Sequence, residues 1–132
     1  MTQYNNPAAG KAGMNEMIDR GRLQIQCFDA SLGNPVSHVN VFVMPRLSSY
    51  IIGQMSTDSS GQTPEITLPA PPLEYSSAPG FPQPFSTYDI VAAREDFDTV
   101  VAEGVQIFPG AKAIQKINLR RRKYSYEASQ AL

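Results

Sequence analysis

At 132 residues, with eleven basic side chains against twelve acidic ones and a formal charge of −1, the chain suits one domain that buries roughly two-thirds of its unfolded surface. It has no net field that would draw it to nucleic acid or to an anionic membrane. A single cysteine, Cys27, and a single histidine, His38, exclude an internal disulfide and a four-ligand structural zinc site.

Residues 1–20 lack a positive segment followed by an apolar core, and no apolar run approaches the roughly 20 residues that cross a bilayer. The expectation is a protein made in the cytoplasm without a signal peptide. Met14, Met17 and Ile18 stand at i, i+3 and i+4, an apolar stripe on a short helix or docking arm that a lone domain has no need to fix. Residues 1–20 are therefore read as an N-terminal arm. RLQIQCF follows and alternates, placing Leu23, Ile25 and Cys27 on one face of a half-buried strand. Beyond the turn-rich SLGNP, SHVNVFV repeats the pattern with Val39, Val41 and Val43 inward and His38 outward. YIIGQMS and QTPEITL, separated by TDSSG, read as a hairpin. STYDIVAA, DTVVA, GVQIF and AKAIQKINL complete the series. Seven or eight short strands with almost no helical period predict an antiparallel β-sandwich over residues 21–119.

Residues 68–85, LPAPPLEYSSAPGFPQPF, hold six of the eleven prolines and can be neither helix nor central strand. The segment reads as a stiffened crossover from one sheet to the other. Its Pro69–Pro72 spacing and the aromatic anchors Tyr75, Phe81 and Phe85 also fit a partner-docking loop. Residues 120–132 form a basic tail in which RRRK is followed by Tyr124 and Tyr126. Such a run is most simply a solvated tail, although it has the charge to hold a phosphate backbone.

The run GRLQIQCFD, PVSHVNVFV, STDSSGQTPEITLPAPPLEYS, PFSTYDIVAAREDFDTVVAEGVQIFPG and QKINL resembles the N-terminal prepeptide-type domain of clostridial spore cortex-lytic enzymes. More distantly, Thr57, Asp58 and Gly61, with the later corner of Tyr88, Asp89, Ile90 and Phe97, look like the transthyretin-like or carboxypeptidase regulatory-like sandwich. The resemblance implies a non-catalytic β-sandwich of spore or cell-envelope biology in Gram-positive anaerobes (Firmicutes), released to the spore or cell surface by mother-cell lysis. In the lytic enzymes a large hydrolytic part follows this module; none is expected here, and lytic activity is not carried over.

Chemistry of the chain's own residues points the same way. Cys27 lies in the inward register and His38 in the outward one, so no base stands beside the thiol to activate it. Glu95, Asp96 and Asp98 around Phe97 lack the length and spacing of a calcium loop and read as a solvated turn. No lysine occurs between Lys11 and Lys112, which removes the first strand as donor for a Lys-to-Asn or Lys-to-Asp cross-link. The expectation is a non-enzymatic structural module without catalytic residues, metal or cofactor. It assembles with copies of itself through Met14, Met17, Ile18, Tyr124 and Tyr126, as a homo-oligomer or homopolymer in a spore or envelope layer or filament. The alternatives are a peptidoglycan- or glycan-binding module using Tyr50, Tyr75 and Tyr88, or an accessory, pro-domain-like partner of a cortex-lytic hydrolase.

Overall fold

Alternating side chains commit the chain to two sheets, because each strand has one apolar face to hide. The structure, a computed structural model, describes residues 19–71 and 84–123. Seven strands follow one another: β1 (Asp19–Asp29), β2 (Asn40–Pro45), β3 (Gly53–Ser56), β4 (Ile66–Ala70), β5 (Ser86–Ala93), β6 (Val100–Ile107) and β7 (Lys112–Leu119). They form a three-stranded sheet of order β4-β1-β7 and a four-stranded sheet of order β3-β2-β5-β6. The predicted all-β sandwich is thus the observed fold.

The core is the sum of the inward registers. Leu23, Ile25 and Cys27 of β1 face Val41 and Val43 of β2 and Ile90 of β5, all fully buried. Each such aliphatic side chain contributes roughly 1.5–3 kcal/mol by leaving water. Tyr88, also buried, donates its hydroxyl to the Pro69 carbonyl at 2.6 Å and so ties one sheet to the other. Pro69 itself sits on β4, an edge strand, where its missing N–H is tolerated.

Several expectations need correction. TDSSG does not close a hairpin: β3 and β4 lie in different sheets, and β3 pairs with β2. Thr57 and Thr63 explain the departure, because their hydroxyls take backbone groups of other segments. Thr57 Oγ1 accepts from Val39 N at 3.0 Å and donates to Val36 O, and Thr63 Oγ1 accepts from Ile25 N at 3.0 Å. The loop is pinned to both sheets and crosses between them. The sandwich is also not wholly antiparallel, for β1 runs parallel to β7 from Arg22↔Lys112 to Asp29↔Leu119. DTVVA and GVQIF are one strand, β6, kinked at Gly104 (φ 69), whose N–H donates to Asp89 Oδ1 at 2.9 Å; the register of β5 against β6 shifts between Tyr88 and Ile90, a bulge. β2 begins only at Asn40, leaving His38 exposed in the left-handed region at φ 60. The first strand starts at Asp19, with Asp19↔Ala70 and Arg20↔Pro69 paired, so the last two residues of the expected arm are strand. The proline-rich segment does join one sheet to the other, running from β4 to β5.

Candidate functional site

Two poles and four strand edges are what the sandwich offers. At the first pole lie the start of β1, the 46–52 loop and the 108–111 turn. Gly110 N donates to Arg20 O, and Pro45 at the end of β2 pairs with Tyr88 near the start of β5. The 46–52 loop is held by Asp89. Its carboxylate accepts from Arg46 Nη1 at 3.1 Å and from Leu47 N at 3.3 Å. The Gly104 N–H bond, together with these two, holds the Asp89 carboxyl below the usual carboxylate range. So held, Leu47 takes a left-handed φ of 62, a conformation a leucine adopts only under constraint. The result is an apolar surface: Leu47 is 87% exposed, Tyr50 69% and Ile51 49%. Phe108 is exposed at the same pole and meets the half-buried Phe85 in a tilted ring pair, centroids 5.2 Å apart.

The opposite pole is polar and self-satisfied. Asp29, buried at the end of β1, accepts from Ser31 N at 2.8 Å and Leu32 N at 3.2 Å, and these two bonds lead in holding its carboxyl below the usual range. Arg121 adds Nε to Asp29 Oδ2 at 3.2 Å and lies over the Phe97 ring, 4.8 Å from its centroid. Arg94 flanks the same ring at 5.7 Å and pairs with Asp96 at 3.1 Å. A half-open cleft of about 180 Å³ lies among Asp29, Ser37, Arg94, Phe97 and Arg121. Its two guanidiniums are matched by Asp29 and Asp96, so it has no charge to spare for a ligand. The Glu95–Asp98 turn is accordingly a structural corner, and Arg120–Arg122 are not a free tail. Asp98 N donates to Arg120 O, Arg122 N to Asp96 O and Arg122 Nε to Phe97 O.

Of the residues singled out in the sequence, Met14, Met17, Ile18, Tyr75, Phe81, Tyr124 and Tyr126 lie outside the described residues. Tyr88 is in the core and cannot stack on a sugar; Tyr50 can. Cys27 is fully buried, and burial pushes its thiol up to about 11. The exposed His38 places ring Nδ1 3.1 Å from Ser37 Oγ. Thr57, Asp58 and Gly61 prove architectural: Asp58 Oδ1 accepts from Ser60 N and Gln62 N. Among the described residues no group of three or more His, Cys, Asp or Glu could hold a metal ion, and no helix is long and apolar enough to cross a membrane. The exposed Leu47–Ile51 surface is hidden from a sequence reading because YIIGQMS reads whole as a strand. Its signal is the LSSY that leads into it, too polar and turn-prone for a core strand.

No family model matches the sequence, and no curated protein matches it at a significant level. Solved structures do. The chain is similar to the TIE protein of Bacillus anthracis (13% identity, TM-score 0.54, 78% of this chain and 17% of that one). It is similar to 3-chlorocatechol 1,2-dioxygenase of Rhodococcus opacus 1CP (14% identity, TM-score 0.56, 82% of this chain and 62% of that one). The pilus 2b backbone protein of group B streptococcus matches at 10% identity and a TM-score of 0.50, over 80% of this chain and 43% of that one. The chain spans less than two-thirds of each. At such identities the likeness shows the β-sandwich and nothing of activity, and it lends no support to the narrower clostridial family.

Proposed function

We propose that the chain is a non-enzymatic structural module that assembles with copies of itself, its N-terminal arm docking on a neighbouring sandwich, in a spore or envelope layer or filament. The observation that carries this reading is the constrained, solvent-facing Leu47–Tyr50–Ile51 surface, because exposed apolar clusters on a small domain mark protein contacts. The arm that bears Met14, Met17 and Ile18 joins the sandwich at Asp19, on that same pole. On this reading the stripe of one copy pairs with the surface of the next, and the contact buries both. The streptococcal neighbour is a pilus backbone protein, in keeping with such use of the fold. In support of the non-enzymatic reading, Cys27 lies in the core and the exposed His38 lies against Ser37, so that among the described residues these two form no nucleophile-base pair.

Sedimentation velocity tests the reading. Removing residues 1–18 keeps Asp19 and Arg20 in their ladder and is expected to leave a folded sandwich that no longer forms higher assemblies. Replacing Leu47, Tyr50 and Ile51 together by Ser is expected to do the same with the arm intact. Unchanged assembly in both variants would overturn it.

A further inference from the structure

The four strand edges of the sandwich are not alike. Sheet edges invite pairing with another chain, and folded proteins blunt them with short strands, prolines or bulges. β3 spans only Gly53–Ser56, β4 carries Pro69, and β6 is bulged at Gly104. β7 has none of these devices along Lys112–Leu119. Its two lysines do not guard it either. Lys112 Nζ reaches back across the sheet to Glu65 at 2.7 Å, and Lys116 Nζ lies over the Phe28 ring of β1, 5.1 Å from its centroid.

The ladder shows which groups are open. Arg22 N donates to Ala111 O and Ala30 N to Leu119 O, so the odd-numbered residues of this stretch turn their backbone groups to β1. By the two-residue period, Lys112, Ile114, Lys116 and Asn118 turn theirs outward. Among the described residues β7 has no strand partner but β1. One outward carbonyl, that of Lys116, accepts from Nε2 of the half-buried Gln115 at 3.0 Å, a side chain standing where a neighbouring strand would put its N–H. In the middle of this edge Ile114 is 56% exposed.

We propose that β7 pairs antiparallel with β7 of a second copy, merging two three-stranded sheets into one. This deepens the self-assembly reading above and rests on it. Outward residues must oppose outward residues, which leaves few registers. Placing Ile114 opposite Lys116 of the second copy, and Lys112 opposite Asn118, keeps the strand paired from Lys112 to Asn118. Sliding two places one way sets Lys112 against Lys116, and two places the other way sets Lys116 against itself; like charges directly opposed are unfavourable. In the favoured register the aliphatic stem of each Lys116 covers the Ile114 it faces, and the Gln115 amide yields its place to the Ile114 N–H of the second copy. The contact is isologous. Alone it yields a pair, and only with the arm contact does it yield a chain.

Two measurements on the full-length chain test this. First, Ile114→Pro deletes an outward N–H while sparing the odd-numbered groups bonded to β1. It is expected to keep the native circular dichroism spectrum and thermal transition and, added to the Leu47, Tyr50 and Ile51 replacement that removes the arm contact, to lose the remaining dimer in a sedimentation concentration series. Second, opposed residues of a hydrogen-bonded antiparallel pair have Cα atoms about 5.5 Å apart, within disulfide reach. An equimolar mixture of Ile114→Cys and Lys116→Cys chains is therefore expected to oxidise to a covalent heterodimer, whereas either variant alone is not. Should Ile114→Pro associate as before, or the mixture fail to cross-link, the strand pairing is wrong even if removal of residues 1–18 ends assembly. Cross-linking that persists when neither arm removal nor the Leu47 surface variant alters assembly would support the pairing and overturn the arm contact. A chain that stays monomeric at every concentration overturns both.

Discussion

Asp29 and Asp89 show how single carboxylates organise whole loops. Each binds its proton less tightly in the folded chain than in the unfolded one, Asp29 through the Ser31 and Leu32 N–H groups and Asp89 through the Gly104 N–H first. Unfolding in acid therefore takes up protons. The stability these groups contribute is fully present above the ordinary carboxylate range and is lost as the pH falls through their lowered values. Thermal melts from pH 7 to pH 3 should show the midpoint falling in the acid limb, with a shallower fall in Asp29→Asn. Tyr88 offers a neutral counterpart. Tyr88→Phe removes the hydroxyl bond to Pro69 O and is expected to cost about 1 kcal/mol in a urea titration; no loss would mean that water satisfies the Pro69 carbonyl in its place. At this scale the sequence was most legible: the alternation of Leu23, Ile25 and Cys27 gave their burial directly. The role of Asp29 was not, since an acidic residue at a strand end has no pattern to betray that Arg121 will reach it.

Strands and loops were legible in kind and less so in partnership. Every segment read as a strand contains one. Yet TDSSG has the composition of a hairpin turn and serves as a bridge between sheets, because composition reports the bend and not the strand that lies beyond it. Gly61 shows the difference. Its φ of 76 and the place where a Cβ would fall, 2.5 Å from Cys27 O and 2.9 Å from Pro35 Cβ, press this loop against β1, with Cys27 N donating to Gly61 O. Gly61→Ala meets both a left-handed backbone and a backbone oxygen with no room to retreat, and a loss of at least about 1–3 kcal/mol is expected. Denaturant midpoints would check it, with Gly33→Ala as reference, since Gly33 shares the positive φ but has open space around it. In the same way, the aromatic and apolar residues of 47–51 could be seen in the sequence, but their exposure depends on a constraint from Asp89, far away in the chain.

For the whole molecule, the layers could be inferred and the order of the strands could not. Periodicity says which face of a strand is buried; it is silent on neighbours. Hence the parallel placement of β7 beside β1 was unforeseen, and with it the edge that β7 leaves open. That placement has a consequence in time. Leu23 meets Ala113, and Cys27 meets Ile117, so the first strand to emerge from a ribosome must wait for the seventh before its sheet is complete, and contacts of such sequence separation form slowly. The edge proposed to receive a second copy is created in that same final event. A half-made chain presents no β7, and a copy that has failed to close its sheet has nothing to offer its neighbour. Maturity of the single chain would thus act as the licence for joining, with the order of synthesis serving as the clock.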